Sequence, residues 1–258
     1  SAISFTQGPG LLGSLLVGSS FAKSFALGME IPLIAVNHMK GHIMAHFIKN
    51  KGEENKQPNF PFLCLTVSGG HTQIVLVKSV TEMIIIGETL DDAAGEAFDK
   101  SAKILGLSYP GGPLIDKYAK KGNKDKFTFG RHKVGKYDFS YSGIKTSILR
   151  VIEKEVSKNP KFIQDNLEDL CASIQHTIVE ILIKKITKAS SELRINEIAI
   201  AGGVSANSYL RTRLIELQEI QKKNVFIPKF EYCTDNAAMI AITGYYQFLE
   251  KDFSDQSV

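Results

Sequence analysis

Phe62-Leu63-Cys64-Leu65-Thr66-Val67-Ser68-Gly69-Gly70-His71-Thr72-Gln73 is the stretch that decides how this 258-residue chain is read. Phe62 to Val67 is an apolar run of the length of a buried strand. It stops at Ser-Gly-Gly, and a second strand, Ile74 to Val77, follows at once. The turn exposes backbone N–H groups with no side chains in the way, which makes a nest for phosphate oxygens. The Ser68 and Thr72 hydroxyls stand beside it as helpers. A plain hairpin turn gives the same pattern. No Gly-Lys-Ser/Thr is present, so this is not a P-loop.

The punctuation recurs. Glu197 to Ala201 reads as a buried strand running into Gly202-Gly203-Val204-Ser205-Ala206-Asn207, where a helix starts. Free N–H groups and the helix dipole at such a start suit an anion or a nucleotide. Tyr109-Pro110-Gly111-Gly112-Pro113 reads as a tight turn whose glycines allow a flat ligand close. Met83 to Ile86 is another strand. Asp91-Asp92-Ala93-Ala94-Gly95-Glu96-Ala97-Phe98-Asp99-Lys100 then opens a helix to about Leu107. On it Glu96, Asp99 and Lys100 fall in one region, and Asp99 could meet a ribose or a metal. Each feature alone is more often structural. Strands feeding glycine turns and helices give an α/β chain. Three glycine turns together suggest a nucleotide held by several loops across a cleft.

A second centre lies at Val36-Asn37-His38-Met39-Lys40-Gly41-His42-Ile43. Residues i and i+4 share a helix face, so His38 and His42 can reach one metal ion. Met39 stands where the H-E-x-x-H peptidases carry their general base. A third ligand is needed, usually a carboxylate. Asp235 opens the last helix, Ala237 to about Leu249, and is either that carboxylate or an N-cap. Both histidines could also merely pad a helix face. His46, a turn further on, and His176 read as structural.

The remaining chain is plainer. Leu11 to Leu27 is helical in pattern, with Ser14, Gly18 and Ala22 forming a small-residue stripe that lets another element approach. Gly8-Pro9-Gly10 before it reads as a turn, and Leu33 to Val36 as a short strand. Lys49 to Asn59 is polar and a plausible crossing between domains. A helix starts near Ile144. Ile163, Leu167, Leu170, Ile174, Ile178 and Ile181 mark a long amphipathic helix. Val225 to Ile227 is a last strand, and the tail after Lys251 is expected to fray.

Composition excludes little. Hydrophobic residues are 43% and charged residues 22%, ordinary for a globular domain. Uninterrupted apolar runs are short and predict no membrane span; no signal peptide is visible. Cys64, Cys171 and Cys233 contain no C-x-x-C pair, which argues for a reducing, cytoplasmic compartment. The net charge of +4 permits a polyanionic partner without demanding one. Lys117 to Lys136 holds eight basic residues and one acidic residue, beside Tyr118, Phe127, Phe129 and Tyr137. Cations among rings suit an RNA-facing loop, although a solvated loop reads the same way.

Taken in order, T-Q-G-P-G-L-L-G-S-L-L-V-G, N-H-M-K-G-H, V-S-G-G-H-T-Q, D-D-A-A-G-E-A-F-D-K, Y-P-G-G-P, D-F-S-Y-S-G-I-K-T, G-G-V-S-A-N and C-T-D-N-A-A-M-I-A resemble the universal tRNA threonylcarbamoyladenosine-forming family, bacterial TsaD type, along essentially the whole chain. The resemblance implies an actin/Hsp70/sugar-kinase-like fold, with two α/β lobes around a nucleotide cleft. It implies transfer of the threonylcarbamoyl group from threonylcarbamoyladenylate to the N6 amine of the adenosine beside the anticodon, in tRNAs reading codons that begin with A. His38, His42 and Asp235 would hold one Fe2+ or Zn2+ per subunit. Ser68, Gly69 and Gly70 would take the phosphates of the adenine nucleotide, threonylcarbamoyladenylate or ATP, with Leu65, Thr66 and Val67 leading in. Asp99, Gly112 and Asn207 would hold the adenylate. The implied partners are tRNA, a paralogous TsaB-type protein and a small TsaE-type ATPase. No side chain is demanded as a nucleophile, so direct attack by the tRNA amine is the simplest course. A metal-dependent peptidase and a non-catalytic nucleotide-binding partner of the same fold are the alternative readings.

Family members carry a further segment before S-A-I-S-F-T-Q, with a Gly-Ile-Glu-Ser-Ser-Cys-type phosphate loop and the first strands. Residues 1–61 are therefore expected to form part of an N-terminal lobe, completed by the C-terminal helix in 237–258, with 62–236 as the second lobe. An incomplete sheet would leave an edge that invites a homodimer or aggregation.

Overall fold

The computed structural model describes residues 1–49, 52, 56–130 and 134–258. The polar crossing at 49–59 lies partly outside them, as do Arg131, His132 and Lys133 of the basic stretch.

The larger sheet runs β5-β4-β3-β6-β7 and is built from β3 (Phe62–Val67), β4 (Thr72–Val77), β5 (Met83–Glu88), β6 (Glu197–Ala201) and β7 (Asn224–Phe226). β3 pairs antiparallel with β4 and parallel with β6, so the sheet is mixed. The run Phe62–Val67 is apolar throughout because the central strand is covered on both faces. Leu63, Leu65 and Val67 enter the main core, beneath a long helix, α7 (Leu167–Leu193). Phe62 and Cys64 face the other way, onto Ile43, Met44 and Phe47.

Those last residues belong to α2 (His38–Met44) and the 3-10 turn Ala45–Phe47 that continues it. α2 follows β2 (Leu33–Asn37), which pairs in parallel with β1 (Ile3–Gly8). β1 was not expected: the Gly8-Pro9-Gly10 turn signal draws attention past Ile3 and Phe5. The connection is α1 (Leu12–Met29), and α9 (Ala237–Leu249) packs across β1, β2 and α2. Chain start and chain end thus pack together around the two-stranded sheet β1–β2, and the α/β architecture is the one that the resemblance implies.

Two further expectations change. Tyr109 to Pro113 is not a free turn, because α4 (Gly111–Ala119) starts inside it. Asp99 of α3 (Ala94–Ile104) accepts from the N–H groups of Gly111 at 2.8 Å and Gly112 at 3.3 Å, capping the helix from outside. The pattern from Ile163 to Ile181 is two helices, α6 (Phe162–Asp165) and α7, separated at Asn166. The Asn166 amide donates back to Phe162 O and so closes α6. α5 (Ser142–Val156) lies between α4 and α6, while α8 (Ser208–Gln221) follows β6.

α1 departs most from expectation. Of the stripe Ser14, Gly18 and Ala22, only Ala22 is covered, and among the described residues none comes within 4 Å of a Cβ placed on Gly18. Leu12, Leu16, Val17, Phe21, Phe25, Leu27 and Met29 are exposed. By length and composition α1 is able to cross a bilayer, with 18 residues at mean hydropathy 1.2. The expectation from short apolar runs did not single out this helix; core helices of globular proteins and signal sequences pass the same test of length and composition.

Candidate metal centre and nucleotide cleft

The histidine pair is positioned by its own sequence. Asn37 caps α2, its Oδ1 accepting from Met39 N at 3.0 Å and Lys40 N at 3.1 Å. That fixes His38 in the first turn and His42 one turn on. Gly41 between them is a packing glycine: a Cβ there would stand 3.2 Å from Ile240 Cδ1 and 3.4 Å from Met239 Cγ. The missing side chain lets α9 lie against α2. Asn236 caps α9 by accepting from Met239 N at 2.8 Å. The capping position is therefore filled by Asn236, and Asp235 beside it is free to turn elsewhere.

It turns to the histidines. Asp235 Oδ1 lies 3.2 Å from His38 Nε2 and 3.2 Å from His42 Nε2. Two donors bound to one tetrahedral ion at about 2.0–2.1 Å would stand about 3.3 Å apart, so the spacing suits a shared cation. The three donor atoms lie within 4.8 Å of one another. Burial, and then the neighbouring His38, hold His42 below the usual imidazole range, against the pull of Asp235. A neutral imidazole is the form that ligates a metal. His42 Nδ1 is buried without a hydrogen-bond partner among the described residues, whereas Asp235 is 76% exposed and opens the centre to solvent. The donor set of two imidazoles and one carboxylate fits a zinc- or iron-class ion. His46 stands apart: its Nε2 lies 2.9 Å from Ile200 O, and burial pushes its pKa down to about 4.

The triad opens into one cleft of about 980 Å³. Its walls bring together His38, His42, Asp235, Ser68, Gly69, Gly70, Asp99, Gly112 and Asn207. Leu65, Thr66 and Val67 do not reach it; they are buried within β3 and carry the loop. Among the described residues, a Cβ on Gly69, Gly70 or Gly203 would meet no atom within 4 Å, so these glycines face open space. Gly95 is the opposite case. A Cβ there would lie 2.6 Å from Ser68 O and 2.8 Å from Gly69 Cα, so its bareness lets the loop rest on α3. The Gly95 N–H donates to Ser68 O at 3.2 Å.

The start of α8 is not the free anion site that its sequence suggested. Asn207 Oδ1 accepts from Leu210 N at 2.9 Å. Asp116 Oδ1 accepts from Ser208 N at 3.2 Å and from Ser208 Oγ at 2.7 Å. Those donors are spent, and the Asp116 carboxylate opposes an anion there. The sequence reading passed over Asp116, His71 and Tyr109, all of which line the cleft. Only their nearness to glycine pairs could have flagged them.

The basic stretch also changes. Phe129 and Tyr137 are buried, and Tyr118 and Phe127 pack half-buried against the same core. Lys126 pairs with Asp169 at 2.6 Å and Lys136 with Glu192 at 2.8 Å. Those rings serve the fold and offer no stacking platform.

Known proteins agree with this architecture. Full-length HypF in its phosphate- and nucleotide-bound form superposes with a TM-score of 0.63 over 88% of this chain and 38% of that one, at 14% identity. HypF of T. kodakarensis gives 0.60 at 13% identity, covering 91% of this chain and 39% of that one. At such identities the likeness speaks for the fold alone. Sequence relatives are far nearer. The tRNA N6-adenosine threonylcarbamoyltransferase of Christiangramia forsetii is 58% identical over the whole of this chain and 75% of its own length. That of Porphyromonas gingivalis is 54% identical over 98% of this chain and 74% of its own length. That of Thermosipho africanus is 50% identical over 99% and 75%. The family model for TsaD, tRNA N6-adenosine threonylcarbamoyltransferase, matches residues 1–242. With that coverage and those identities, the chain belongs to the tRNA N6-adenosine threonylcarbamoyltransferase family.

Proposed function

We propose that the cleft carries out the family's transfer, moving a threonylcarbamoyl group from its adenylate to the N6 amine of a tRNA adenosine. The observation that carries this reading is the shared cleft, with the His38–His42–Asp235 triad and the Ser68–Gly70 loop on one cavity. The lobe of residues 1–61 with 237–258 would supply the metal wall, and 62–236 the nucleotide wall. Backbone N–H groups at Gly69 and Gly70 would meet phosphate oxygens. Asp99, Gly112 and Asn207 would hold the nucleoside.

His38, His42 and Asp235 would hold one divalent ion, Fe2+ or Zn2+. When bound, such an ion supplies Lewis acidity toward a carbonyl oxygen. In the transfer, the amine nitrogen forms a bond to the carbamoyl carbon, the bond from that carbon to the phosphate oxygen breaks, and the amine sheds one proton. AMP departs with the electron pair. The chain's own contribution is to hold the two reactants in one walled space and to keep His42 neutral.

Substrate tRNA would reach the cleft with the help of a paralogous TsaB-type partner and a TsaE-type ATPase, in the cytoplasm; an exposed sheet edge would also allow a homodimer. Lys120, Lys121, Lys124 and Lys126 would meet tRNA phosphates. Neutralising all four should weaken tRNA binding and lower its salt slope by about 0.7–0.9 for each phosphate that no longer meets a cation; an unchanged slope would remove them from the interface.

Elemental analysis with AMP calorimetry, using His38→Ala as control, tests the site. The expected result is about one metal per chain, lost in the variant, with AMP bound. Absence of metal would overturn the triad, and absence of AMP binding would overturn the nucleotide wall. Transfer onto an unmodified tRNA then tests the reaction.

A further inference from the structure

Gln175, in the N-terminal half of α7, is 4% exposed and belongs to none of the glycine motifs. Its Oε1 accepts a hydrogen bond from Asn207 Nδ2 at 2.8 Å. Asn207 is itself only 9% exposed, yet it lines the cleft. Its orientation leaves no freedom. Oδ1 takes the Leu210 N–H, so the NH2 end must point the other way. A buried NH2 without an acceptor is costly, and Gln175 supplies that acceptor from a separate helix. One of the two N–H bonds on Nδ2 goes to Gln175, and the second remains.

We propose that Gln175 is a positioning residue that, through Asn207, presents one amide N–H to an acceptor atom of the adenylate bound in the cleft. The inference rests on the reading of the cleft as an adenylate site. Gln175 does not touch the ligand. It fixes which end of the Asn207 amide faces the ligand, and it ties the Gly202–Asn207 segment to α7, the helix that underlies β3.

The test is AMP affinity by calorimetry on the full chain, for wild type, Gln175→Met, Gln175→Glu, Asn207→Ala and the double variant Gln175→Met/Asn207→Ala. Methionine keeps the volume and removes the acceptor; glutamate keeps an acceptor oxygen in either protonation state. Gln175→Met should weaken AMP about tenfold or more, and Gln175→Glu should stay within about threefold. The double variant should bind no more weakly than Asn207→Ala, because the two act through one bond. Losses that multiply in the double variant would overturn the proposal, since a general loosening of the fold would multiply them. Unchanged affinity in Gln175→Met, with wild type binding, would overturn it alone. Absence of AMP binding by wild type would overturn it together with the adenylate reading. Thermal unfolding monitors each variant, and Gln175→Leu is read by the same criteria should Gln175→Met not fold.

Discussion

On the nucleotide wall, Asp99, Asp116 and Asn207 each spend an oxygen on donors of a neighbouring helix, and Gln175 closes the set. On the histidine wall, Nε2 of His38, Nε2 of His42 and the Asp235 carboxylate, three potential ligands, crowd within 4.8 Å. On the first wall these side-chain oxygens already have protein donors, and what remains for a ligand is N–H. The second gathers lone pairs faster than it gathers donors. A surface whose polar groups are spent on one another is set before ligand arrives, whereas a surface with concentrated acceptors gains most from a cation. The same cleft therefore holds a preformed half and a half that a metal would complete.

The sharpest way to break this contrast is Asp235→Ala. Removing the carboxylate should lower metal affinity by about 100-fold or more and leave AMP binding nearly unchanged; elemental analysis and calorimetry on one preparation would show both. Equal losses in both would mean that the walls are not independent.

Glycine substitutions sharpen the other half. Gly95→Ala drives a methyl into Ser68 O and Gly69 Cα, so it should cost about 1–3 kcal/mol of stability and weaken AMP about tenfold. Gly70→Ala meets no protein atom. It should leave stability within about 0.5 kcal/mol yet still weaken AMP, because the methyl would occupy the ligand's space. Denaturant midpoints beside AMP titrations separate the two, and a Gly70→Ala variant with full affinity would take the phosphates away from this loop.

The smallest effect concerns a tie between the β5–α3 connection and the start of α5. Burial works against the Asp91 carboxylate, but hydrogen bonds from the Ser140 and Ser142 hydroxyls and from the Tyr141 and Ser142 N–H groups hold its pKa below the ordinary aspartate value. The folded-state pKa is depressed, so its stabilisation is present above about pH 4 and is lost as pH falls below that. Asp91→Asn should lower neutral-pH stability by about 1 kcal/mol or less and flatten the acid limb of a melting-temperature profile. An acid limb identical to wild type would show that the tie contributes nothing.

The legible parts were those written in local spacing. His38 and His42 lie four apart, and Ser68-Gly69-Gly70 sits between two apolar runs, so both can be placed from the letters alone. The unread parts depend on neighbours brought together across the fold. Asp99 caps a helix that begins twelve residues later, so Tyr109 to Pro113 read as a turn. Asp116 and Gln175 gain meaning only when α4, α7 and α8 meet. The charges of 117–136 were visible, but the direction of Phe129 and Tyr137 was not, because core rings and stacking rings have the same letters. Two polar roles were available to Asp235, and only Asn236, taking the cap, distinguishes them.

The closeness of α2 to α9 at Gly41 has a consequence for the making of the molecule. His42 leaves the ribosome long before Asp235, which lies 193 positions later (235 − 42). A centre assembled from both is a clasp between two distant parts of the chain, and it cannot close until every residue in between has been synthesised. Loop-closure entropy over such a span grows only logarithmically with length, so the clasp costs little more than one across a single domain. Acquisition of an ion at this point would therefore mark a chain whose final helix has docked.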